Sequence, residues 1–280
     1  MNGLKKTLLI LLSVLVYSCT DVIDLELPVA PPRLVIEASL DWQRGTPGNE
    51  QVIKLSLSTP FYDNLEIDPV PGALVKVIRE SDGSEVVFED MNNGLYYTSS
   101  FEPVLEEFYI LEVIYEGETY IGREQLTPVV PINEIFQSRE NGFDKDALEV
   151  NVLFTDPEDE VNYYLAKFQR RGDLLPTLFD ISDEFTNGNE LTIIYEKITD
   201  EDSGETEFEP GEIVDIELFG ISELYYDYIR LLIQQSGGGG PFSTIPARLK
   251  GNCINISDSD NYAFGYFRLT QVDRESYTFE

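Results

Sequence analysis

The side chains of this chain that could do chemistry are carboxyl groups and thiols: it carries 52 Asp and Glu, two Cys and no His. Without imidazole there is no Ser–His or Cys–His dyad to activate a nucleophile, and no His-containing metal site. Carboxylates alone support two chemistries, a glycosidase-type pair or an oxygen site for a hard cation. Abundance does not create a pair, because so many acidic residues bring some two together in any fold. The sequence therefore predicts no catalytic residue, no cofactor and no enzymatic activity. For calcium, two short clusters have the oxygen density: Asp156, Glu158 and Asp159, and Asp258, Asp260 and Asn261. Neither completes a twelve-residue calcium loop, and a solvated turn is the simpler expectation for both.

The two thiols stand in different settings. Lys5 and Lys6 precede an apolar run over 8–17 that is broken only by Ser13. That run is about half of the ~20 residues that cross a bilayer, so residues 1–18 read as an export leader. It ends in Val16-Tyr17-Ser18-Cys19, which resembles the lipobox of bacterial lipoproteins, with Tyr17 in place of the usual small residue. The resemblance implies cleavage before Cys19 and acylation of that cysteine. A chain so modified is anchored to a membrane and does not span it. With Cys19 given to lipid, Cys253 has no partner for a disulfide, and its expected role is that of a small buried apolar residue.

Length and charge bound the rest. About 260 residues follow the leader, enough for two ordinary domains. An apolar content of 42% and an aromatic content of 12% belong to a globular chain, and 16 Tyr with 16 Phe weight it towards strands. The formal charge of −33 repels phosphate backbones and excludes nucleic acid as a partner. The same field attracts cationic ligands or divalent metal, although solubility of a tethered protein explains it more simply.

Residues 19–33 read as an acidic, Pro-stiffened tether, with Asp21, Asp24 and Glu26 close behind Cys19. From Leu34 the period-2 pattern of half-buried strands dominates: Ile53, Leu55 and Leu57, then Ala73, Val75 and Val77, then Tyr109, Leu111, Val113 and Tyr115. Asp82-Gly83, Asn92-Asn93-Gly94 and Glu116-Gly117 supply the turns between them. Six or seven short strands over 34–128 predict an N-terminal β-sandwich, immunoglobulin-like or transthyretin-like. Pro128 and Pro131 mark a boundary. Strands resume over 129–280, at 148–152, 162–170, 191–198 and 212–218, with an acidic turn at 200–205. Within this C-terminal β-rich domain Ile221, Leu224, Tyr225, Tyr228, Leu231 and Leu232 recur at helical spacing. They predict a helix over 222–235, packed on the sheet and stopped by Gly237 to Gly240. The fold class expected is mainly β, two sandwich-like domains with one helix on the second. Trp42, Tyr62 and Tyr163 are aromatics that could meet a ligand, though core placement is the better expectation.

Near the C-terminus, Pro241 to Pro246 leads to Gly251-Asn252, followed after a spacer by Gly265-Tyr266-Phe267. Together with Cys19, the acidic tether, Leu34-Val35-Ile36-Glu37-Ala38 and Gly72-Ala73-Leu74-Val75-Lys76-Val77, this order resembles a family of Bacteroidota outer-membrane lipoproteins catalogued as domain of unknown function 4249. The resemblance covers nearly the whole chain after Cys19. It implies a lipid-anchored, surface-exposed outer-membrane accessory protein whose partner is a TonB-dependent receptor in nutrient binding or uptake. It carries no catalytic residues. The alternative is a stand-alone surface module for adhesion or ligand binding. At the matched positions the expected roles are structural: Gly251 and Gly265 in turns, Asn252 in a turn or cap, Tyr266 and Phe267 in the core.

Overall fold

A computed structural model of the chain describes residues 31–60, 67–158, 160–184, 188–197, 199, 206–236 and 249–280. The leader, Cys19, nearly all of the tether, Tyr62, Asp159, the 200–205 turn and Gly237 to Gly240 lie outside these residues. Strands β1 (Leu34–Gln43) and β2 (Gln51–Leu57) pair antiparallel, with Leu34 opposite Leu57. Their alternation buries Leu34, Ile36, Ala38, Leu40, Ile53 and Leu55. A two-residue strand, β3 (Asp68–Pro69), pairs with β2.

The first sandwich continues through β4 (Leu74–Arg79), β5 (Glu85–Asp90), β6 (Leu95–Thr98), β7 (Phe108–Tyr115) and β8 (Glu118–Gln125). In space the order is β1-β2-β6-β5-β4-β7-β8. Residues 85–88 of β5 pair with β4, and Glu89 and Asp90 pair with β6. One strand thus carries the hydrogen bonding from one layer to the other, curling the sheet around a core that includes Tyr96, Tyr109, Leu111 and Val113.

The second sandwich sets a three-stranded sheet against the far part of the large one. β9 (Ile132–Ser138), β10 (Glu149–Thr155) and β13 (Glu190–Glu196) form the small sheet, with β10 central. β11 (Tyr163–Arg170), β12 (Thr177–Ser182), β14 (Ile213–Ile221) and the end of β16 (Phe264–Thr278) face it. Val150, Val152, Phe154, Phe168, Val214, Ile216 and Phe279 fill the space between. Helix α1 (Glu223–Ser236) lies on the outer face of β11 and β14. Ser222 caps it by accepting from the Tyr225 N–H at 3.2 Å. Tyr225, Tyr226 and Ile229 are buried against Leu165, Phe219, Ile221, Tyr266 and Val272. The fold is mainly β, two sandwich-like halves with one helix on the sheet of the second.

β16 belongs to both halves. Residues 264–272 pair parallel with β1, and residues 272–278 pair antiparallel with β14. Its middle, Tyr266 to Thr270, is buried on both faces, between the first core and α1. Arg268 is held there by Asp41 of β1 at 2.6 Å and lies over the rings of Phe219 and Tyr225. The chain from Pro32 to Glu280 is accordingly one compact unit. A short strand, β15 (Ile254–Asn255), pairs with β8 and brings Cys253 into the first core.

The C-terminal motif explains how β16 is seated. Gly265 is not in a turn but within the strand, at φ +87°, where a Cβ would collide with the Ile36 carbonyl. Gly251 is a close approach too, since a Cβ there would strike the Gly265 carbonyl. The Asn252 side chain acts as a piece of strand: its Oδ1 accepts from the Phe267 N–H and its Nδ2 donates to the Phe267 carbonyl, both at 2.8 Å. Replacing Asn252 with Ala orphans both backbone groups of a buried residue, at about 1–3 kcal/mol each. Chemical denaturation of Asn252→Ala is expected to show a loss of about 2–4 kcal/mol, and Gly265→Ala a larger one, because backbone has to move.

Candidate functional site

Where the two sandwiches meet, the 127–130 connection, the start of β11 and the start of α1 enclose a cleft of about 490 Å³. Glu106, Glu160, Glu223, Gln125, Asn162 and Tyr163 are among its polar lining, and among the described residues no Lys or Arg lines it. Two buried acidic centres stand beside it. On one side Glu124 of β8 accepts from the Tyr266 hydroxyl at 3.0 Å and from the Gln125 N–H at 3.0 Å. Burial pushes its carboxyl above the ordinary range against those hydrogen bonds.

On the other side Asp156 and Asp183 come together. Pro157 ends β10, which leaves Asp156 at the strand terminus. Asp183 follows β12, opposite Asn162, because Tyr163 pairs with Ser182. Asp156 is 2% exposed and Asp183 is 0% exposed, and their carboxyl groups are within hydrogen-bonding reach of each other. Asp156 accepts from the Tyr164 hydroxyl at 2.6 Å and the Gly188 N–H at 3.1 Å, and Asp183 from the Asn162 N–H at 2.9 Å. Burial, and then the touching Asp156 carboxyl, push Asp183 up to about 6. Carboxylates in contact leave no room for a sugar, since glycosidase pairs stand about 5–9.5 Å apart.

Of the calcium candidates read from sequence, only Asp156 falls in this centre. Glu158 is exposed, its side chain packed over Gly188, and Asp159 lies outside the described residues. Asp258 and Asp260 sit in an exposed turn, where Asp258 Oδ1 accepts from the Asp260 N–H at 2.9 Å and Arg33 reaches the Asp260 carbonyl. Asn261 donates instead to Glu118. Among the described residues no three Asp, Glu or Cys side chains converge as a metal cluster. Cys253 is buried in the first core, and desolvation pushes its thiol up to about 12. Trp42 packs on the first core with its indole donating to the Thr46 carbonyl, while Tyr163 packs at a tilt against the Tyr226 ring and lines the cleft. Asp183 was invisible to sequence reading because strand register, not spacing, brings it to Asp156.

The opposite end of the second sandwich has a different character. Phe143, Leu174 and Leu175 are 90%, 91% and 75% exposed there, at the tips of the β9–β10 and β11–β12 loops. These loops are pinned. Glu149 and Glu196, directly opposite on β10 and β13, accept from the backbone of 141–144, with Asn141 to Glu149 at 2.8 Å and Asp144 to Glu196 at 3.0 Å. Asp173 is clamped by Arg170 at 3.2 Å and Lys197 at 2.5 Å. Burial, which would raise the Glu149 carboxyl, is outweighed by Ser138, Asn141 and Asn151, which hold it low.

The model of a family described as Domain of unknown function (DUF4249) matches residues 20–276. No curated protein matches the sequence significantly. Among solved structures, a cytokine receptor complex is similar at 8% identity and a TM-score of 0.27, over 68% of this chain and 86% of that one. A two fibronectin type-III domain segment from chicken tenascin is similar at 11% identity and a TM-score of 0.21, over 68% and 90%. A DUF4785 family protein from Legionella pneumophila is similar at 11% and 0.25, over 67% and 51%.

The buried carboxylates give the cleft a pH signature. A carboxyl whose folded pKa is raised stabilises the fold in its protonated form, and that stability is lost as pH rises through the folded value. For Asp183 the window runs from its ordinary 3.8 to about 6, and Glu124 acts in the same direction. In a chelating buffer the protein is expected to melt higher at pH 5 than at pH 7.5, by on the order of 2 kcal/mol in stability. Asp183→Asn removes most of that difference, and equal pH dependence in the variant contradicts the assignment.

Proposed function

The chain belongs to the family described as Domain of unknown function (DUF4249), and from that premise we propose that it is a lipid-anchored outer-membrane accessory protein that binds rather than catalyses, partnering a TonB-dependent receptor in nutrient capture. The leader, Cys19 and the acidic tether support the anchor. No helix of the described residues is long and apolar enough to cross a membrane.

The observation that carries the binding role is the pinned apolar rim. The chain enters the sheet at Leu34, beside the start of β16, and the rim lies past the other end of that strand. At ~3.3 Å per residue, β16 spans about 45 Å. Phe143, Leu174 and Leu175 therefore stand at the end of the folded unit away from the point where the chain enters the sheet. Large apolar side chains on loops fastened by the buried Glu149 and the half-buried Glu196 and Asp173 resemble preorganised interface anchors more than frayed loop tips. The acidic cleft, with no basic lining residue among the described ones, favours a cationic solute.

The test is affinity purification of the tagged, lipidated protein from solubilised outer membranes. A stoichiometric TonB-dependent receptor is expected in the wild-type sample. It should be lost with Cys19→Ala and reduced at least tenfold when Phe143, Leu174 and Leu175 are together changed to Ser, with an unchanged thermal midpoint. A wild-type protein that arrives without any receptor contradicts the reading and leaves the stand-alone surface module.

A further inference from the structure

Among the described residues no Lys or Arg forms an ion pair with Asp156 or Asp183. Four carboxyl oxygens meet three donors among the described residues: the Tyr164 hydroxyl and the Gly188 N–H serve Asp156, and the Asn162 N–H serves Asp183 Oδ1. The fourth oxygen, Asp183 Oδ2, is buried without a hydrogen-bond partner, and so is the side-chain oxygen of Asn162. These two orphans belong to facing residues, since the Asp183 N–H also donates to the Asn162 carbonyl at 3.2 Å. A proton shared between the carboxyl groups would quiet one oxygen and bring no donor to the Asn162 amide. One hard cation satisfies both acceptors and neutralises the pair.

We propose that Asp156, Asp183 and the side-chain oxygen of Asn162 form a calcium site at the end of the second sandwich beside the cleft. Calcium accepts six to eight oxygens in irregular geometry, whereas magnesium demands a near-ideal octahedron and gives up water reluctantly. Two carboxylates and one amide oxygen leave the remaining positions to water and turn carbonyls. The exposed Glu158 and Glu160 add negative potential around the entry. The ion ties together the end of β10, the approach to β11 and the end of β12. Asn162 and Tyr164 line the cleft, so the ion also fixes one of its walls. The inference rests on this geometry and is independent of the receptor-partner reading.

The full chain, purified in detergent and stripped with EDTA, is melted with calcium chloride or magnesium chloride at constant ionic strength. Calcium at about a hundredfold above its dissociation constant is expected to raise the melting midpoint by about 5–10 °C, and magnesium by much less. Asp183→Asn places an amide donor against Asp156. That variant is expected to fold in EDTA at least as stably as the wild type and to show no calcium response. Should it fail to fold, Asn162→Ala keeps the backbone hydrogen bonds, and its calcium affinity must fall roughly tenfold. Absence of a calcium-dependent rise in the wild type, or an equal rise in Asp183→Asn, overturns the site.

Discussion

Fifteen residues of β16 hold hydrogen bonds to β1 over their first part and to β14 over their last, and every other feature of the molecule takes its position from that strand. A β-strand has only two edges and two faces, and β16 uses all four. One edge gives the first sandwich a parallel partner, the other gives the second its antiparallel one. One face meets the first core, and the other receives α1. Parallel pairing needs burial on both faces, and here the helix supplies the second cover.

The strand is costly to place, which accounts for the chemistry around it. Gly265 and Gly251 are there because backbone meets backbone without room for a side chain. Asn252 replaces a missing ladder partner with its own amide. Arg268, buried among aromatic rings, needs Asp41 opposite, because an uncompensated buried charge is strongly destabilising. Gly251, Asn252 and Gly265 are thus explained by seating a strand, and the sites proposed for a ligand and a partner lie elsewhere, at the two ends of the second sandwich.

Much of the first sandwich was legible in sequence because its strands face a core on one side and water on the other. Val75 and Val77, or Tyr109, Leu111 and Val113, announce themselves by alternation. β16 did not, because Tyr266 to Thr270 are all buried and so show no alternation, and four polar residues, Asp273 to Ser276, then follow in a row. β10 shows half of the same effect: Val150 and Val152 alternate as expected, while Glu149 and Asn151 between them are equally buried, each held by hydrogen bonds. The helix itself was legible over 222–235 but its buried face was not: Tyr225 packs as expected, whereas Leu224, Leu231 and Leu232 are exposed and Tyr226 and Ile229 are buried instead. Of the acidic centre only Asp156 stood out, as part of a turn. Its partner arrives through register across β11 and β12, which local spacing does not encode. The resemblance at Gly251-Asn252 and Gly265-Tyr266-Phe267 pointed to the right family but suggested turns where the structure has close strand contacts.

The central claim is that β16 makes the two sandwiches one cooperative unit, and native-state hydrogen exchange across a denaturant series tests it most directly. The account predicts that slow amides of β1 and β14 merge onto a single opening free energy equal to that of global unfolding, since neither strand can lose β16 alone. Exchange of β14 at a distinctly lower free energy, with β1 still protected, would contradict it and make the halves independent domains that share a strand only by adjacency.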